Sequence, residues 1–486
     1  MAPLWLRAAC LRLLVASFCF VPESVAFVVV HVHVPSCSFR TFETTSIDRY
    51  RRTCRRPNKN HHPLDITQSK NDLLYWKPSK RRRVILSATS LENNNSDNDD
   101  ATPIKVGIVG AGAIAFGTAA LLAKNGHDPM LWSPSGAGTQ ELLATENNNQ
   151  LQVTGASEEL KFEFEFFQPR IASTPEQLAL QNDVLILCLP ANGHVTVMDA
   201  LAPSIRSGQH ILISSHASLG AVYLMQLLDA RQIVASVTAW GTTVVTARKL
   251  TGRSVRINTL RKSVDICTVP HTQSQEGLAL CQRLFGADRF RVRNGLLAIS
   301  LSNLNPQNHL GIALANMSRM ERGETWSQGQ NITPNVGRLL ERLDEERLAI
   351  AGVLGLPVRN IYEHFSLSFH VPMSTSVSEM NLKLYQQGSN DVNGPNTVES
   401  RYVTEDVPYG LALIVLLGNL VGRPAVLHQS GMSILDAMYG REFLQENELY
   451  TKLNLSEVTL EELQEASYTG LLKKQSSHFA NGGDHN

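Results

Sequence analysis

A glycine-rich turn set between a strand pattern and a helix pattern constrains the fold of this chain most strongly. Lys105–Val109 is a short apolar run typical of a strand, and Thr118–Lys124 has the composition of a helix. The turn between them, residues 110–115, has the pattern GxGxxA. In such a turn the first glycine permits the bend, the second admits a pyrophosphate close to the backbone, and the helix N-terminus attracts phosphate. The setting predicts a dinucleotide-binding domain; a glycine-rich turn without a ligand is the less favoured alternative.

The end of the second predicted strand bears on the choice of cofactor. Residues 126–132 form that strand, and Ser133 follows it where NAD-binding domains usually carry an acidic residue. No acid there repels a 2′-phosphate, although no arginine is adjacent to attract one, so the sequence leans weakly to NADP over NAD. A later buried strand, residues 183–189, ends at Pro190, where parallel strands open onto a ligand crevice. The predicted cofactor-contacting residues are Gly110, Ala111, Gly112, Ala113, Ile114, Ala115, Ser133 and Pro190.

Further strand patterns extend the first domain to about residue 295. Residues 160–167 alternate polar and apolar side chains, which predicts a strand with one polar face. Apolar runs at 209–214, 233–237 and 263–269 complete a predicted mixed sheet. His194 and His216 follow two of these strands, and we interpret them as loop residues in preference to catalytic ones.

From about residue 296 the pattern becomes helical. Apolar side chains between Val336 and Val353 recur at helical spacing among charged ones. Thr459 and Glu462 predict a capping box for a last helix. The apolar run at 412–417 is of core type and too short to span a bilayer. The sequence therefore predicts an α/β Rossmann-type dinucleotide-binding domain at 103–295, a mostly α-helical C-terminal domain at 296–470 and a tail at 471–486.

Two polar segments of the helical domain are candidates for chemistry. His309 follows Asn305 by four residues, so both could share a helix face, and a histidine at a crevice can act as acid or base near neutral pH. A core-facing histidine that only makes a hydrogen bond is the equal alternative. In the second segment Arg401 could bind a carboxylate, or could pair with Glu405 four residues on. Asp406 could orient a histidine, or could cap a helix that has Pro408 in its first turn.

Together the motifs resemble those of the octopine/nopaline (opine) dehydrogenase family. The shared features are the GxGxxA turn, Asn-x-Asn-Pro-x-x-His at 303–309 and Arg-Tyr-x-x-Glu-Asp-x-Pro-Tyr-Gly at 401–410. The resemblance covers about residues 104–440. In that family an amino acid condenses with an α-keto acid, commonly pyruvate, and a nicotinamide cofactor reduces the imine to a secondary-amine dicarboxylate.

The resemblance implies a role for each candidate. His309 is expected to transfer protons, Asp406 to hold its imidazole, and Arg401, with Asn305, to bind substrate. No lysine occurs between Lys262 and Lys383, whereas related two-domain dehydrogenases use a lysine near the start of the helical domain. Two other functions stay open at this point: a keto-acid reductase of the same architecture, and a cofactor-binding regulatory protein without turnover.

The first hundred residues have the character of a targeting sequence. Residues 1–26 resemble a signal peptide, and 27–102 resemble a transit segment followed by a disordered linker. This two-part arrangement predicts delivery to a plastid; the secretory pathway and the mitochondrion are alternatives. A short membrane anchor at residues 1–20 is a less favoured interpretation, because its apolar run is short.

The charge distribution limits the kinds of partner that we expect, and the cysteine content indicates the redox state of the compartment. Fifteen of the 44 basic residues but only five of the 44 acidic ones lie in residues 1–90, so the remainder is mildly acidic and gives no reason to expect nucleic-acid binding. Three of the seven cysteines lie beyond residue 100, without metal-ligand spacing, and fit a reduced compartment. The expected partners are small-molecule substrates, and the mature protein is not expected to be embedded in a membrane. The residues do not indicate an oligomeric state.

Overall fold

A computed structural model describes residues 102–144, 148–162, 164–216, 218–369, 371–388 and 392–473. These residues all belong to one compact unit. The predicted signal and transit segments at 1–101 lie outside the described residues, so targeting to a plastid stays a prediction.

The larger sheet has eight strands in the order β12-β11-β8-β7-β6-β1-β2-β5. Neighbouring strands are parallel except β8 and β11, which run antiparallel, so the sheet is mixed as predicted. Its members are β1 (Lys105–Val109), β2 (Asp128–Trp132), β5 (Arg170–Ile171), β6 (Val184–Leu187), β7 (His210–Ile213), β8 (Ser236–Trp240), β11 (Val264–Val269) and β12 (Phe290–Val292).

A second sheet of four strands was not predicted from the sequence. Its order is β4-β3-β10-β9, from β3 (Leu151–Gly155), β4 (Phe166–Phe167), β9 (Val245–Thr251) and β10 (Ser254–Leu260). The strands β9 and β10 form an antiparallel hairpin. This sheet packs against the first helix, where a Cβ added to Gly117 would lie 3.2 Å from Cβ of Ala247. Gly117 therefore allows close packing against the smaller sheet.

Six helices accompany the sheets in the described part of the first domain. They are α1 (Ala113–Lys124), α2 (Gln140–Leu143), α3 (Pro175–Leu180), α4 (His194–Leu201), α5 (Gly220–Asp229) and α6 (Ser274–Phe285). The interior strands β6 and β11, each with a neighbour on both sides, are buried along their whole length, because helices or the second sheet cover both faces of the larger sheet.

The C-terminal part is helical throughout the residues described. Its helices are α7 (Leu296–Ser302), α8 (Asn305–Glu321), α9 (Gln328–Asn331), α10 (Pro334–Val353), α11 (Ile361–Phe369), α12 (Val377–Gln387), α13 (Arg401–Thr404), α14 (Ala412–Leu420), α15 (Val426–Tyr439), α16 (Glu448–Lys452) and α17 (Leu460–Thr469). The predicted capping box at Thr459 and Glu462 is present at the start of α17. Tyr409, Leu417 and Leu463 share one apolar core with the sheet strands, so burial of apolar surface joins the two parts.

Two strand predictions are wrong in detail. Most of 160–167 is not a strand: the preceding Glu158–Leu160 forms a 3₁₀ turn, and only Phe166–Phe167 pairs with β3. The ring of Phe164 packs on the rings of Phe162 and Phe167, with centroids 5.5 and 5.6 Å apart, so the aromatic side chains form one cluster. The strand predicted at 233–237 begins at Ser236, because residues 232–234 still complete the turn after α5.

A helical stretch in the C-terminal part is longer than its apolar run suggested. Arg401–Leu420 is long and apolar enough, by length and composition, to cross a membrane. However, 72% of its apolar window is buried inside the protein. We therefore assign it to the core, as predicted for residues 412–417.

Within this stretch, Asp406–Leu411 is a π-helical turn between α13 and α14. Pro408 lies in the turn and has no N–H to offer to the helix. The turn is held from outside the stretch, since Asn447 Nδ2 donates to the carbonyl of Pro408 at 2.8 Å and Tyr409 Oη donates to the carbonyl of Glu446 at 3.2 Å. A π-turn of this kind often marks a functional site.

The π-turn approaches the start of α8 through a glycine. A Cβ added to Gly410 would lie 2.6 Å from Cβ of Pro306, which is closer than real Cβ contacts occur. Gly410 thereby sets the separation between the two polar segments predicted from the sequence.

We expect Gly410→Ala to destabilise the protein by about 1–3 kcal/mol, because the added methyl forces α8 and the π-turn apart. Urea unfolding measures the change. Gly352→Ala is the matched control: Gly352 is exposed on α10 with open space around its Cβ position, so alanine should be neutral or stabilising by up to about 1 kcal/mol. Equal effects of the two substitutions would contradict this account of the contact.

Candidate active site

The predicted dinucleotide turn has the geometry that its sequence pattern requires. Gly110 has a φ of +122°, and a Cβ there would lie 2.6 Å from the carbonyl oxygen of Cys188. Gly112 has open space where a Cβ would stand, directly before α1 begins at Ala113. Open space beside the free N–H groups of a helix N-terminus fits a pyrophosphate, so these residues can hold a dinucleotide.

A cavity of about 410 Å³ lies beside this turn, between the strand ends and the helical part. The predicted cofactor residues Gly112, Ala113, Ile114 and Pro190 line it. From the helical part come the predicted substrate residues Asn305 and Arg401, with Asp406. The fold therefore brings together at one cavity side chains that are separated by up to three hundred residues in sequence.

His309 and Asp406 form a buried pair at this cavity. His309 Nδ1 lies 2.6 Å from Asp406 Oδ2, and both side chains are almost fully enclosed. Because an ionised carboxylate only accepts hydrogen bonds, Nδ1 carries the proton and Nε2 is left for other chemistry. Asp406 is not a helix N-cap, so that alternative is wrong.

The wall of the cavity includes Asp406 but not His309, which lies one helical turn beyond Asn305. The ring of Tyr402 stacks on the imidazole with centroids 3.5 Å apart and planes inclined by 12°. The hydroxyl of Tyr402 donates to Gln328 Oε1 at 2.7 Å, and burial raises its pKa to about 12. Tyr402, which the sequence left unassigned, therefore fixes the plane of the imidazole as a neutral phenol.

Arg401 is positioned as both sequence interpretations allow. It lines the cavity, and its Nε lies 3.9 Å from Oε2 of Glu405. The side chain of Arg401 is 59% exposed, so this ion pair contributes little and the guanidinium can turn to another anion.

Glu405 is a site residue to which sequence reasoning gave no role. Its Oε1 accepts a hydrogen bond from the N–H of Ala191 at 3.0 Å, which links the helical part to the end of β6. Its Oε2 is buried and has no hydrogen-bond partner among the described residues. Burial, and then the neighbouring Asp406 carboxylate, raise the pKa of Glu405 above its ordinary value, while Arg401 and the Ala191 N–H lower it. Only its position beside Asp406 could have signalled this role.

A lysine side chain to which sequence reasoning gave no role lies near the end of β2. Ser133 is buried, and its Oγ accepts from the N–H of Gly138 at 3.3 Å. Lys249 of β9 reaches the same loop: its Nζ donates to the carbonyl of Ala111 at 3.1 Å and to that of Gly138 at 3.3 Å. Burial lowers the pKa of Lys249, while Glu141 raises it. More than a hundred residues separate Lys249 from the turn, and no local pattern marked it.

His194 and His216 are buried, which the interpretation as loop residues did not anticipate. His194 Nε2 contacts the carbonyl of Leu189 at 3.2 Å, and His216 Nε2 accepts from the N–H of Ala221 at 3.3 Å. Burial lowers their pKa values to about 4 and about 3. Both are therefore neutral near pH 7 and support local structure.

Comparison with protein families matches the two parts of the chain separately. Residues 292–439 match the model of the NAD/NADP octopine/nopaline dehydrogenase, alpha-helical domain. Residues 106–272 match the model of the ketopantoate reductase PanE/ApbA. The second match covers most of the dinucleotide-binding domain and the first covers much of the helical part.

Individual relatives agree with these matches. The chain is 27% identical to an opine dehydrogenase of Arthrobacter sp. (strain 1C) over 296 residues, 60% of this chain and 80% of that protein. It is 22% identical to the protein ocs of Agrobacterium tumefaciens (strain Ach5) over 325 residues, 65% of this chain and 86% of that protein.

Solved structures share the fold. An octopine dehydrogenase in complex with NADH and agmatine superposes with a TM-score of 0.64 at 18% identity, covering 77% of this chain and 100% of that chain. A yersinopine dehydrogenase with NADP⁺ bound gives a TM-score of 0.56 at 15% identity, covering 76% and 98%. With the domain matches and the curated relatives, the conclusion is that this chain, whose helical part matches that of the octopine/nopaline dehydrogenases, is an NAD(P)-dependent opine-type dehydrogenase, an enzyme for the reductive condensation of an amino acid with a keto acid.

Proposed function

We propose that the protein condenses an amino acid with pyruvate and reduces the imine with NADPH, using His309 and Asp406 for proton transfer. The observation that supports this most strongly is the buried 2.6 Å contact between these two side chains beside the dinucleotide turn. The choice of pyruvate is supported by a structural neighbour, an octopine dehydrogenase whose solved complexes contain NADH with pyruvate or with L-arginine.

The reaction requires proton transfers that one histidine can perform. The amino group attacks the keto carbon, water leaves as the C=N bond forms, and the imine carbon then takes up a hydride. The nicotinamide supplies this hydride when it is bound. In our proposal His309 Nε2 takes a proton from the attacking nitrogen and passes it to the keto oxygen, once to form the hydroxyl and once more to release that hydroxyl as water. Solvent supplies the proton that the imine nitrogen takes up when the carbon receives the hydride. Asp406 stabilises the imidazolium that exists while His309 holds the proton.

Substrate orientation is assigned to the cavity wall. Arg401 binds one substrate carboxylate through two parallel hydrogen bonds, for which its exposed guanidinium is free to turn. Asn305, whose backbone is fixed by a 3.1 Å hydrogen bond from its N–H to Asn303 Oδ1, offers an amide to the same substrate.

The preference for NADPH is supported by Lys249. An ammonium has three donors, and the carbonyls of Ala111 and Gly138 take two of them. The third is available to a 2′-phosphate beside Ser133, where no acidic side chain follows β2. The positive charge of Lys249 thus supports the preference for NADP that was inferred from Ser133.

We expect NADPH oxidation with pyruvate to depend on an added amino acid. Spectrophotometric assays with pyruvate alone, and with pyruvate and each amino acid in turn, measure this dependence. Turnover that is the same with and without every amino acid would instead identify a keto-acid reductase of this architecture, and our proposal would be rejected.

We expect His309→Gln to lower kcat by a factor of about 10² or more and to leave NADPH binding unchanged, because glutamine cannot accept the proton. Stopped-flow turnover and fluorescence titration of NADPH separate the two quantities.

His428→Gln is the matched control. His428 is also buried against a carboxylate, with Nδ1 2.8 Å from Glu346 Oε2, but Glu346, unlike Asp406, does not line the cavity. Its loss should reduce stability and leave kcat of the folded protein within about twofold. If the His309 variant turned over as fast as the His428 variant, the assignment of the acid–base residue would be wrong.

We expect Lys249→Gln to reduce the ratio of kcat/KM for NADPH to that for NADH by about tenfold, because it removes the charge beside Ser133. Initial rates with both cofactors give the ratio. Arg248→Gln, at the exposed neighbouring position of β9, should leave it unchanged. An unaltered ratio in the Lys249 variant would show that cofactor choice is made elsewhere.

A further inference from the structure

A second arginine lies at the cavity that the sequence did not mark as a site residue. Arg261 directly follows β10 and lines the cavity together with Arg401. Its Nε is buried without a hydrogen-bond partner, and its guanidinium has no ion-pair partner among the residues that the structure describes. Burial lowers the pKa of this guanidinium, because an enclosed charge loses part of its hydration. Taking a charge out of water without a partner costs stability.

Two other enclosed arginines among the described residues are paired with carboxylates. Arg347 is fully buried, and its Nε and Nη2 donate to Asp344 Oδ1 at 3.0 and 2.6 Å. Arg359 contacts Ser263 Oγ at 2.8 Å and Asp265 Oδ1 at 3.3 Å. The contrast shows that this fold supplies carboxylates to arginines that support its structure, and that Arg261 lacks one.

The surroundings of Arg261 are positive. The half-buried His364 lies near it, and the positive charges of Arg261, Arg347 and Arg359 add to burial in lowering the pKa of His364 to about 3. The carboxylates beside these guanidiniums, Asp344 and Asp265, already pair with Arg347 and Arg359. A partner for Arg261 can come from the cavity that it lines.

The chemistry of the reaction provides such an anion. An amino acid and a keto acid each carry a carboxylate, so their condensed form carries two, and Arg401 is assigned to only one. We propose that Arg261 binds the second carboxylate of the condensed substrate, an inference that rests on the proposed function. Its planar guanidinium suits a carboxylate through two parallel hydrogen bonds.

The remaining wall matches the centre of the same molecule. The nitrogen between the two carboxylates carries N–H groups and positive charge. Glu405 Oε2, buried and without a hydrogen-bond partner among the described residues, is an acceptor at the same cavity. The two guanidiniums can pair with the two carboxylates of the ligand, and the Glu405 carboxylate can pair with the nitrogen between them.

Binding of iminodiacetate tests the proposal without turnover. This probe is a secondary amine with two carboxylates, and N-methylglycine is its counterpart with one. Each compound is titrated calorimetrically into the full-length protein saturated with NADP⁺. The ratio of the two affinities measures how much the second carboxylate contributes to binding. We expect Arg261→Met to weaken iminodiacetate at least tenfold and to bring the two ligands to similar affinity, with NADP⁺ affinity unchanged.

Two further variants test whether weaker binding in Arg261→Met comes from a disturbed fold and not from the loss of a ligand contact. Arg256→Met removes a guanidinium from an exposed position of the same strand and should leave both affinities unchanged. The melting temperature of Arg261→Met should not fall, because no internal partner is lost. Should it fall, Arg261→Lys decides: this variant keeps the charge but loses the planar fork, and should still weaken iminodiacetate several-fold.

An Arg261→Met protein that keeps the preference for iminodiacetate, or one that loses NADP⁺ instead, overturns the proposal. Failure of the proposed reaction is a separate result. Iminodiacetate binding that needs Arg261, in a protein without amino-acid-dependent turnover, rejects the reaction and retains the dicarboxylate site. Amino-acid-dependent turnover in a protein whose iminodiacetate binding does not need Arg261 retains the reaction and rejects the dicarboxylate site.

Discussion

The close approach of Gly410 to Pro306 is the contact on which the site depends. It sets the distance between the start of α8 and the π-turn, which lie about a hundred residues apart in sequence. Pro306 is tolerated because it stands in the first turn of α8, where no N–H is needed. The π-turn adds one residue to a helical turn and so changes the direction in which Asp406 points relative to α14. His309 and Asp406 meet at 2.6 Å only because both of these local features occur opposite each other.

Buried charges in this chain fall into two groups. Asp344 accepts from Gln307, from Arg347 and from the N–H of Ile361, so its carboxylate is satisfied within the helical core. A satisfied network of this kind supports one arrangement of α8, α10 and α11. Within the described part of the chain, Glu405 and Arg261 each keep a buried atom without a hydrogen-bond partner, and both residues line the cavity. Such atoms do not stabilise the fold, so their presence at one cavity is better explained by a ligand that pairs with both.

The sequence predicted those features that have a local signature. The turn at 110–115 was recognisable from glycine spacing, and His309 and Asp406 from the family motifs. The smaller sheet was missed because β9 and β10 have half-exposed, mixed side chains that give neither a clear alternation nor an apolar run. Lys249 and Arg261 were missed for a related reason: each acquires its role from a cavity that forms only in the fold. The alternation at 160–167 wrongly predicted one long strand, because its aromatic side chains pack on one another and only Phe166–Phe167 pairs with β3.

The β9–β10 hairpin connects the two ends of the cavity. Lys249 lies opposite Val255 near the closed end of the hairpin, whereas the N–H of Arg261 donates to the carbonyl of Val244 at its open end. The five steps along the chain from residue 244 to residue 249 span about 17 Å at the rise of a strand. The hairpin thus positions Lys249 at the dinucleotide turn and Arg261 at the substrate side of the cavity. Because side chains alternate along a strand, a one-residue slip of β9 would turn Lys249 away from the turn. The packing of Val245 and Ala247 against Gly117 of α1 opposes that slip, so the glycine that follows the dinucleotide motif also fixes the register of the hairpin.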